Sequence, residues 1–242
     1  MTDGSCVLTP IARIHSDFTT KFGVPRQPGL ASSLEAEIIF EPGFRNPDML
    51  RGIEGYSHLW LIWQFSENAD RDWSPTVRPP RLGGNVRMGV LATRSPFRPN
   101  FLGLSCVKLL RVERRTVCRT SEDVDKSSAS GSGQAVLVVS GADLVNGTPI
   151  YDIKPYIPYS DCVPDASEGY SPMPTDRLDV EFLNGADSLI PAEKLQALTE
   201  VLSLDPRPRY HDDPDREYGM GFAGLDIHFK VCGSMLSVTS VS

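Results

Sequence analysis

The sequence lacks several features that would point to a familiar class of protein. Its five cysteines are an odd number with no Cys-x-x-Cys pair, which argues against a disulfide scaffold or a zinc ribbon and favours a reducing compartment. No apolar run approaches the ~20 residues that span a bilayer, and the N-terminus has no basic region followed by a long apolar one. These absences predict a soluble, cytoplasmic protein with no membrane partner.

Common catalytic signatures are also missing. The chain has no Gly-x-Gly-x-x-Gly after a strand, no P-loop, no His-Glu-x-x-His and no Gly-x-Ser-x-Gly. Its four histidines are not closely paired, so no metal site is expected. Any chemistry must therefore depend on the polar loops that are rich in Pro, Gly and Arg.

Carboxylates are absent from one long stretch, although the formal net charge is −7. No Asp or Glu occurs between Asp72 and Glu113, and six of the seven cations there are arginine, whose planar fork binds phosphate and carboxylate. Screening limits a surface field to about 8–10 Å, so a local cationic surface can recognise an anion on an acidic protein. The alternative is that some of these side chains are solvated or pair with acids elsewhere. The seven are Arg78, Arg81, Arg87, Arg94, Arg98, Lys108 and Arg111.

Glycine and proline, 20 of each, predict many turns between short elements. Six runs bounded by turn residues are typical of strands, and no amphipathic helices separate them. This pattern predicts a mainly β protein with an antiparallel sheet closed into a barrel or sandwich, not a doubly wound sheet. The six runs are 7–15, 36–40, 58–65, 87–93, 104–112 and 135–140.

The chain divides into a β-rich domain at 1–160, a linker at 161–178 and a small α+β domain at 179–242. The C-terminal domain is predicted to hold a helix at 191–202, where Leu residues recur at helical spacing, and a hairpin at 218–238. In the first domain we expect a short helix near 46–54 and a polar loop at 119–134.

Three loops carry arginines next to prolines or glycines. Prolines stiffen the backbone at 24–30 (VPRQPGL) and at 93–100 (TRSPFRPN), and so present arginine in a fixed position. Residues 77–87 hold two glycines flanked by arginines, which suits phosphate groups. Each loop alone could equally be a surface turn, Phe97 could be core filler, and His58 at the start of an apolar run is more typical of a structural residue.

Together these motifs resemble the TsaA-like (YaeB) tRNA methyltransferases. The matching segments are VPRQPGL (24–30), GIEGYSHLW (52–60), PTVRPPRLGGN (75–85), RMGVLATRSPFRPN (87–100), DLVNGTPIYDIKPYIPY (143–159) and DPRPRY (205–210). The resemblance implies an antiparallel β-barrel that binds S-adenosylmethionine, a homodimer with the cofactor near its interface, and methylation of N6 of threonylcarbamoyladenosine next to the anticodon of tRNA.

The resemblance also assigns residues to two sets. The cofactor set is Pro25, Arg26, Gln27, His58, Leu59, Phe65, Ser66, Arg94, Leu104, Asp143, Leu144, Val145 and Asn146. The tRNA set is Arg78, Arg81, Arg87, Arg98, Asp205, Arg207 and Tyr210. The chain departs from the family where relatives often have His at 66, Asp at 146 and Pro-Ile-Gly at 101–103.

The expected reaction is direct transfer of the methyl group from the sulfonium to N6. That nitrogen is a poor nucleophile until its proton leaves, so a base would help by roughly 10²–10⁴-fold. Asp152, Asp205 and His58 are candidates, and the sequence does not choose among them. The alternatives are another RNA base or a small anion as the methyl acceptor, and a non-catalytic RNA-binding module.

Overall fold

The structure, a computed structural model, describes residues 6–68, 70–79, 82, 85–115, 134–170, 176–207 and 213–242. Strands predominate within these ranges, which confirms the prediction of a mainly β chain. The predicted loop at 119–134 lies outside the described residues except at its last position, and Arg81 and Tyr210 lie outside them as well. No helix in the described ranges is long and apolar enough to cross a membrane.

Six antiparallel strands of the first part of the chain pair in a ring. Their order is β1-β2-β7-β6-β3-β8, and β8 pairs again with β1, which closes the barrel. The two other strands described in this part, β4 and β5, pair with each other, and residues 78–87 lie between them in the sequence. The strands are β1 (Ala12–His15), β2 (Glu35–Phe40), β3 (His58–Gln64), β4 (Thr76–Val77), β5 (Met88–Gly89), β6 (Leu102–Arg115), β7 (Gln134–Ser140) and β8 (Pro149–Pro155).

Alternation along the strands fills the barrel. In β3 the side chains of Leu59, Leu61 and Trp63 point inward and are buried, while their neighbours face outward. Ser105 of β6 is a polar exception, since it is fully buried among these apolar residues. Such a hydroxyl needs a hydrogen-bond partner, and its partners lie at the site described below.

Two strand predictions are wrong in part. The run at 7–15 forms a strand only at β1, because Pro10 has no N–H for the ladder. The run at 87–93 pairs only at Met88 and Gly89, and Val90–Ala92 forms a 3-10 turn that the Thr93 N–H and hydroxyl close by bonding to the Val90 carbonyl at 3.1 and 2.9 Å. The apolar run alone did not reveal that turn.

The short helix predicted near 46–54 is two separate 3-10 turns, at Pro47–Leu50 and Ile53–Gly55. Gly52 between them has a φ of 88°, a left-handed conformation that interrupts the helix. The Asn46 side chain accepts a hydrogen bond from the Asp48 N–H at 3.0 Å and so caps the first turn.

The C-terminal part forms a four-stranded sheet in the order β10-β11-β12-β9, with β9 parallel to β12. The predicted helix is confirmed within one residue at each end, and it buries Leu198, Val201 and Leu202. The predicted hairpin is present, but β9 and a third consecutive strand enlarge it. Its elements are β9 (Asp179–Phe182), α2 (Ala192–Ser203), β10 (Tyr218–Phe222), β11 (Leu225–Cys232) and β12 (Met235–Val241). The short helix α1 (Pro158–Asp161) follows β8, before this part begins.

Candidate active site

A cavity of about 700 Å³ lies where β3 ends and β6 begins. Segments far apart in the sequence converge there, namely residues 24–27, 63–68, 93–98, 102–104 and 143–145. These include most of the loops that sequence analysis selected. Of the predicted cofactor residues, those that line the cavity are Pro25, Arg26, Gln27, Phe65, Ser66, Arg94, Leu104, Asp143, Leu144 and Val145.

The structure does not bring the other three predicted cofactor residues to the lining. His58 begins β3, and the lining residues of that strand start at Trp60. Leu59 is fully buried in the barrel core. Asn146 points elsewhere: its side-chain oxygen accepts a hydrogen bond from the Ser16 N–H at 3.2 Å, which fastens the turn after β7 to the end of β1.

A directed chain of hydrogen bonds ends at the carboxylate of Asp143. Trp63 Nε1 donates to Ser105 Oγ at 2.9 Å, and Ser105 Oγ donates to Asp143 Oδ1 at 2.6 Å. Burial raises the pKa of Asp143 to about 6, although Ser105 and the charge of Arg94 act in the opposite direction. The barrel interior therefore fixes the orientation of one carboxylate at the cavity. Sequence reasoning missed Trp63 and Ser105, because alternation marks both only as inward-facing.

The indole of Trp63 lies directly against the backbone of Gly103. A Cβ at that glycine would overlap Cε2 of the Trp63 ring, so only glycine fits beneath the ring. Phe65 meets the same ring edge-on with centroids 4.4 Å apart. Gly103 ends the 101–103 segment, in which this chain differs from the family pattern. Its packing role could not be predicted from the sequence.

Gly103→Ala is expected to displace the indole and break its hydrogen bond to Ser105. We expect the free energy of unfolding to fall by about 1–3 kcal/mol and the tryptophan emission to change. Gly89→Ala is the matched control, because a Cβ at Gly89 meets no atom within 4 Å. Chemical denaturation followed by fluorescence measures both, and equal stability of the two variants would contradict the prediction.

The described arginines of the carboxylate-free stretch lie in three places. Arg94 and Arg98 line the cavity, where Arg94 donates to the Gln27 side-chain oxygen at 2.5 Å and Arg98 to the Thr93 carbonyl at 3.3 Å. Arg78 and Arg87 are exposed at the base of the loop between β4 and β5. Arg111 pairs with Glu35 and Glu113 on the barrel surface, so the alternative of pairing with acids holds there.

The segment predicted to contact tRNA in the C-terminal part lies beside the cavity. Arg207 forms a two-point ion pair with the carboxylate of Asp205, at 2.9 and 3.0 Å. The backbone carbonyls of both residues accept hydrogen bonds from Arg26, which itself lines the cavity. One side chain thus joins the cofactor set to the tRNA set.

None of the three candidate bases lines the cavity. Asp152 pairs with Lys154 at 3.0 Å, and the Asp205 carboxylate is held by Arg207. Among the described lining residues, the carboxylates are Asp143 and Glu67. Sequence reasoning missed Glu67, although it directly follows Ser66 at the end of the apolar run. No cluster of three or more metal-binding side chains occurs within the described ranges.

Two family models match the chain. The tRNA-methyltransferase O N-terminal domain covers residues 13–162, and the TrmO C-terminal domain covers 175–242. An Escherichia coli K12 protein named tRNA (adenine(37)-N6)-methyltransferase is 38% identical over 230 residues, which is 91% of each chain. A protein of the same name from Eikenella corrodens is 40% identical over 77% of this chain and 97% of its own length.

A comparison with solved structures identifies the same family. The crystal structure of TrmO from Pseudomonas aeruginosa superposes with a TM-score of 0.76 at 29% identity, and the match covers 98% of both chains. The described part of the chain, C-terminal sheet included, therefore has the same architecture as that protein.

Proposed function

Because the chain belongs to the tRNA-methyltransferase O family, we propose that it transfers a methyl group from S-adenosylmethionine to N6 of the adenosine at position 37 of tRNA. We further propose that this adenosine carries a threonylcarbamoyl group. The observation that carries the proposal is the convergence of the arginine-bearing loops and a buried carboxylate on one cavity. In this proposal residues 1–160 bind the cofactor, and residues 179–242 contribute to tRNA recognition.

The residues of the cavity fit S-adenosylmethionine. The volume of the cavity, about 700 Å³, lies within the ~300–1,000 Å³ that is usual for small-molecule sites. Trp63 and Phe65 provide aromatic surface for an adenine ring, and Asp143 provides a carboxylate for the cationic end of the ligand. Gln27 and Arg94 add polar groups that are already oriented by their mutual hydrogen bond.

Bound S-adenosylmethionine supplies an already activated methyl group, so the chain's main task is orientation. Holding the two reacting groups in line is worth several kcal/mol, on the order of 7–11 in well-oriented systems. The fixed Trp63–Ser105–Asp143 chain meets this need, because its carboxylate does not have to reorganise on binding. Glu67 is the other described lining carboxylate, and it can accept the N6 proton, directly or through water.

Selectivity for the modified base follows from charge. Arg98 lies at the cavity in a stretch with no carboxylate, where it can pair with the carboxylate of the threonyl group. An unmodified adenosine would leave that arginine without its partner, and such a loss lowers kcat/KM strongly.

The proposal is tested by methyl transfer from labelled S-adenosylmethionine to two matched tRNAs, one with threonylcarbamoyladenosine and one unmodified. We expect label only in the modified tRNA. Equal labelling of both would indicate a different acceptor base. Label in neither, with cofactor binding intact by calorimetry, would favour a binding module.

We also propose that the enzyme is a homodimer that acts in the cytoplasm, where its tRNA substrate is found. Leu104 supports the dimer, because this apolar residue lines the cavity and is 54% exposed in the single chain. Sedimentation equilibrium measures the oligomeric state, and a monomer at micromolar concentration would contradict the proposal.

Arg78→Ala is expected to weaken tRNA binding about 3–10-fold and to reduce the slope of log Kd against log salt by about one, because it removes one phosphate contact. Cofactor affinity should not change, since Arg78 lies away from the cavity lining. Arg114→Ala, at an exposed arginine of β6, is the control. Filter binding at several salt concentrations measures both, and an equal loss in the control would contradict the assignment.

A further inference from the structure

The segment between β1 and β2 leaves the barrel and enters the core of the C-terminal part. Phe18, Ala31 and Leu34 are buried together with residues of α2 and of β10–β12. The Phe18 ring is fully buried and meets Phe222 edge-on, with centroids 5.5 Å apart. Residues 24–27, which line the cavity, belong to this segment. A cavity wall is therefore anchored in the C-terminal core.

Polar contacts fasten both ends of the segment to one helix. Near its start, both carboxylate oxygens of Asp17 accept hydrogen bonds from Lys194 Nζ, at 2.8 and 2.7 Å. Near its end, the N–H and the hydroxyl of Ser33 donate to Glu200 at 2.9 and 2.6 Å. Lys194 and Glu200 both lie on α2, so this helix spans the base of the loop.

The middle of the segment is held as well. Gly23 has a φ of 91°, and a Cβ there would lie 2.6 Å from Met220 Cε, so the backbone passes directly over β10. Arg26 donates to the carbonyls of Asp205 and Arg207 at 3.2 and 2.8 Å. These contacts fix the backbone immediately before and at the cavity-lining residues.

We propose that the C-terminal part sets the affinity of the cavity for S-adenosylmethionine by holding residues 24–27 in place, with Asp17, Lys194 and Glu200 as positioning residues. A loop ordered before binding does not have to be ordered on binding, and this raises affinity without a new ligand contact. The inference rests on the proposed function, because it takes the cavity to be the cofactor site. It extends the role of the C-terminal part beyond tRNA recognition.

The hydrogen bonds of Arg26 to the backbone at 205–207 couple tRNA binding to cofactor binding. The Asp205–Arg207 backbone bonds to Arg26, so a tRNA that orders this backbone favours the loop conformation that binds the cofactor. The coupling must be equal in both directions, and cofactor binding therefore strengthens tRNA binding by the same factor.

Lys194→Met tests the proposal in the full-length protein. It removes the ion pair to Asp17 but keeps an unbranched side chain of similar length. We expect S-adenosylmethionine to bind about 5–20-fold more weakly by calorimetry at a temperature where the variant is fully folded, and KM for the cofactor to rise by a similar factor with kcat nearly unchanged. Lys230→Met on β11 is the matched control, and its affinity should equal that of the parent.

Asp17→Asn supplies a second variant should Lys194→Met not fold, and the same loss of affinity is expected. The double variant should bind no more weakly than either single one, because both remove one interaction. Unchanged cofactor affinity in folded variants would overturn the positioning role. Failure of the proposed function gives a different result, since the parent protein itself would then not bind S-adenosylmethionine.

Discussion

Asp143→Asn is expected to weaken S-adenosylmethionine binding by about 30–1,000-fold and to lower kcat/KM for methyl transfer at least as much. The substitution keeps the oxygen that accepts the Ser105 hydrogen bond, so the geometry of the Trp63–Ser105–Asp143 chain is retained. What it removes is the negative charge beside a bound cation. Losing one member of a largely desolvated charge pair typically costs about 2–5 kcal/mol. Calorimetry and single-turnover kinetics measure the two effects.

The pH dependence of binding separates charge from shape. In the free protein the pKa of Asp143 is raised to about 6 by burial, and a bound cation lowers it, so binding releases a proton. Affinity for S-adenosylmethionine is therefore expected to increase with pH up to about 6, by at most about tenfold per pH unit, and to level off above it. The Asn variant should lack this dependence.

The free energy of unfolding should decrease with pH, whereas the affinity for S-adenosylmethionine increases. The pKa of Asp143 is higher in the folded protein than the ordinary value of 3.8, so its ionisation favours unfolding. The stability that the protonated group provides is present below pH ~4 and is lost as the pH rises through about 6. Asp143→Asn removes this penalty, which is up to about 3 kcal/mol at neutral pH. A more stable but less active variant is typical of a functional site.

Asp152→Asn is the matched control for these measurements. Asp152 pairs with Lys154 outside the cavity lining, and its side chain is 46% exposed, so removing its charge should change stability and cofactor affinity little. If Asp143→Asn bound the cofactor as tightly as this control, the carboxylate would not face the cation. The buried charge would then need another explanation.

The loops of the site could be predicted from their joint resemblance to a known family, because each loop taken alone could equally be a surface turn. The Pro-Arg motifs at 24–27 and 93–98 and Asp143, which that resemblance assigned to the cofactor, line the cavity. Trp63 and Ser105 could not be assigned in this way. Each faces inward by alternation, and only the register of β3 against β6 places Gly103 beneath the indole of Trp63.

The path of the chain between β1 and β2 could not be predicted either. Local sequence reports which residues are apolar, but it does not report which of two cores they join. Phe18 and Leu34 lie within the first domain by sequence, yet both pack with α2 and β11. Such contacts join residues more than 150 positions apart, and no periodicity in a short window records them.

Phe18→Ala is expected to lower the free energy of unfolding by about 3–5 kcal/mol, because it removes a fully buried ring and leaves a cavity beside Phe222. The location of the loss is as informative as its size. Amide hydrogen exchange should become faster in β11 and α2, whose buried residues share the core with Phe18. Cofactor affinity should fall as well, since the same segment carries residues 24–27.

Phe40→Ala is the matched variant in the other core. Phe40 is 4% exposed on β2 and packs inside the barrel, so a similar loss of stability is expected, with faster exchange in β2 and β7. If Phe18→Ala instead increased amide exchange only in β1 and β2, the segment between these strands would be packed with the barrel and not with the C-terminal core. The C-terminal part would then have no means of holding the cavity wall, and the proposed positioning role would fail together with the packing argument that supports it.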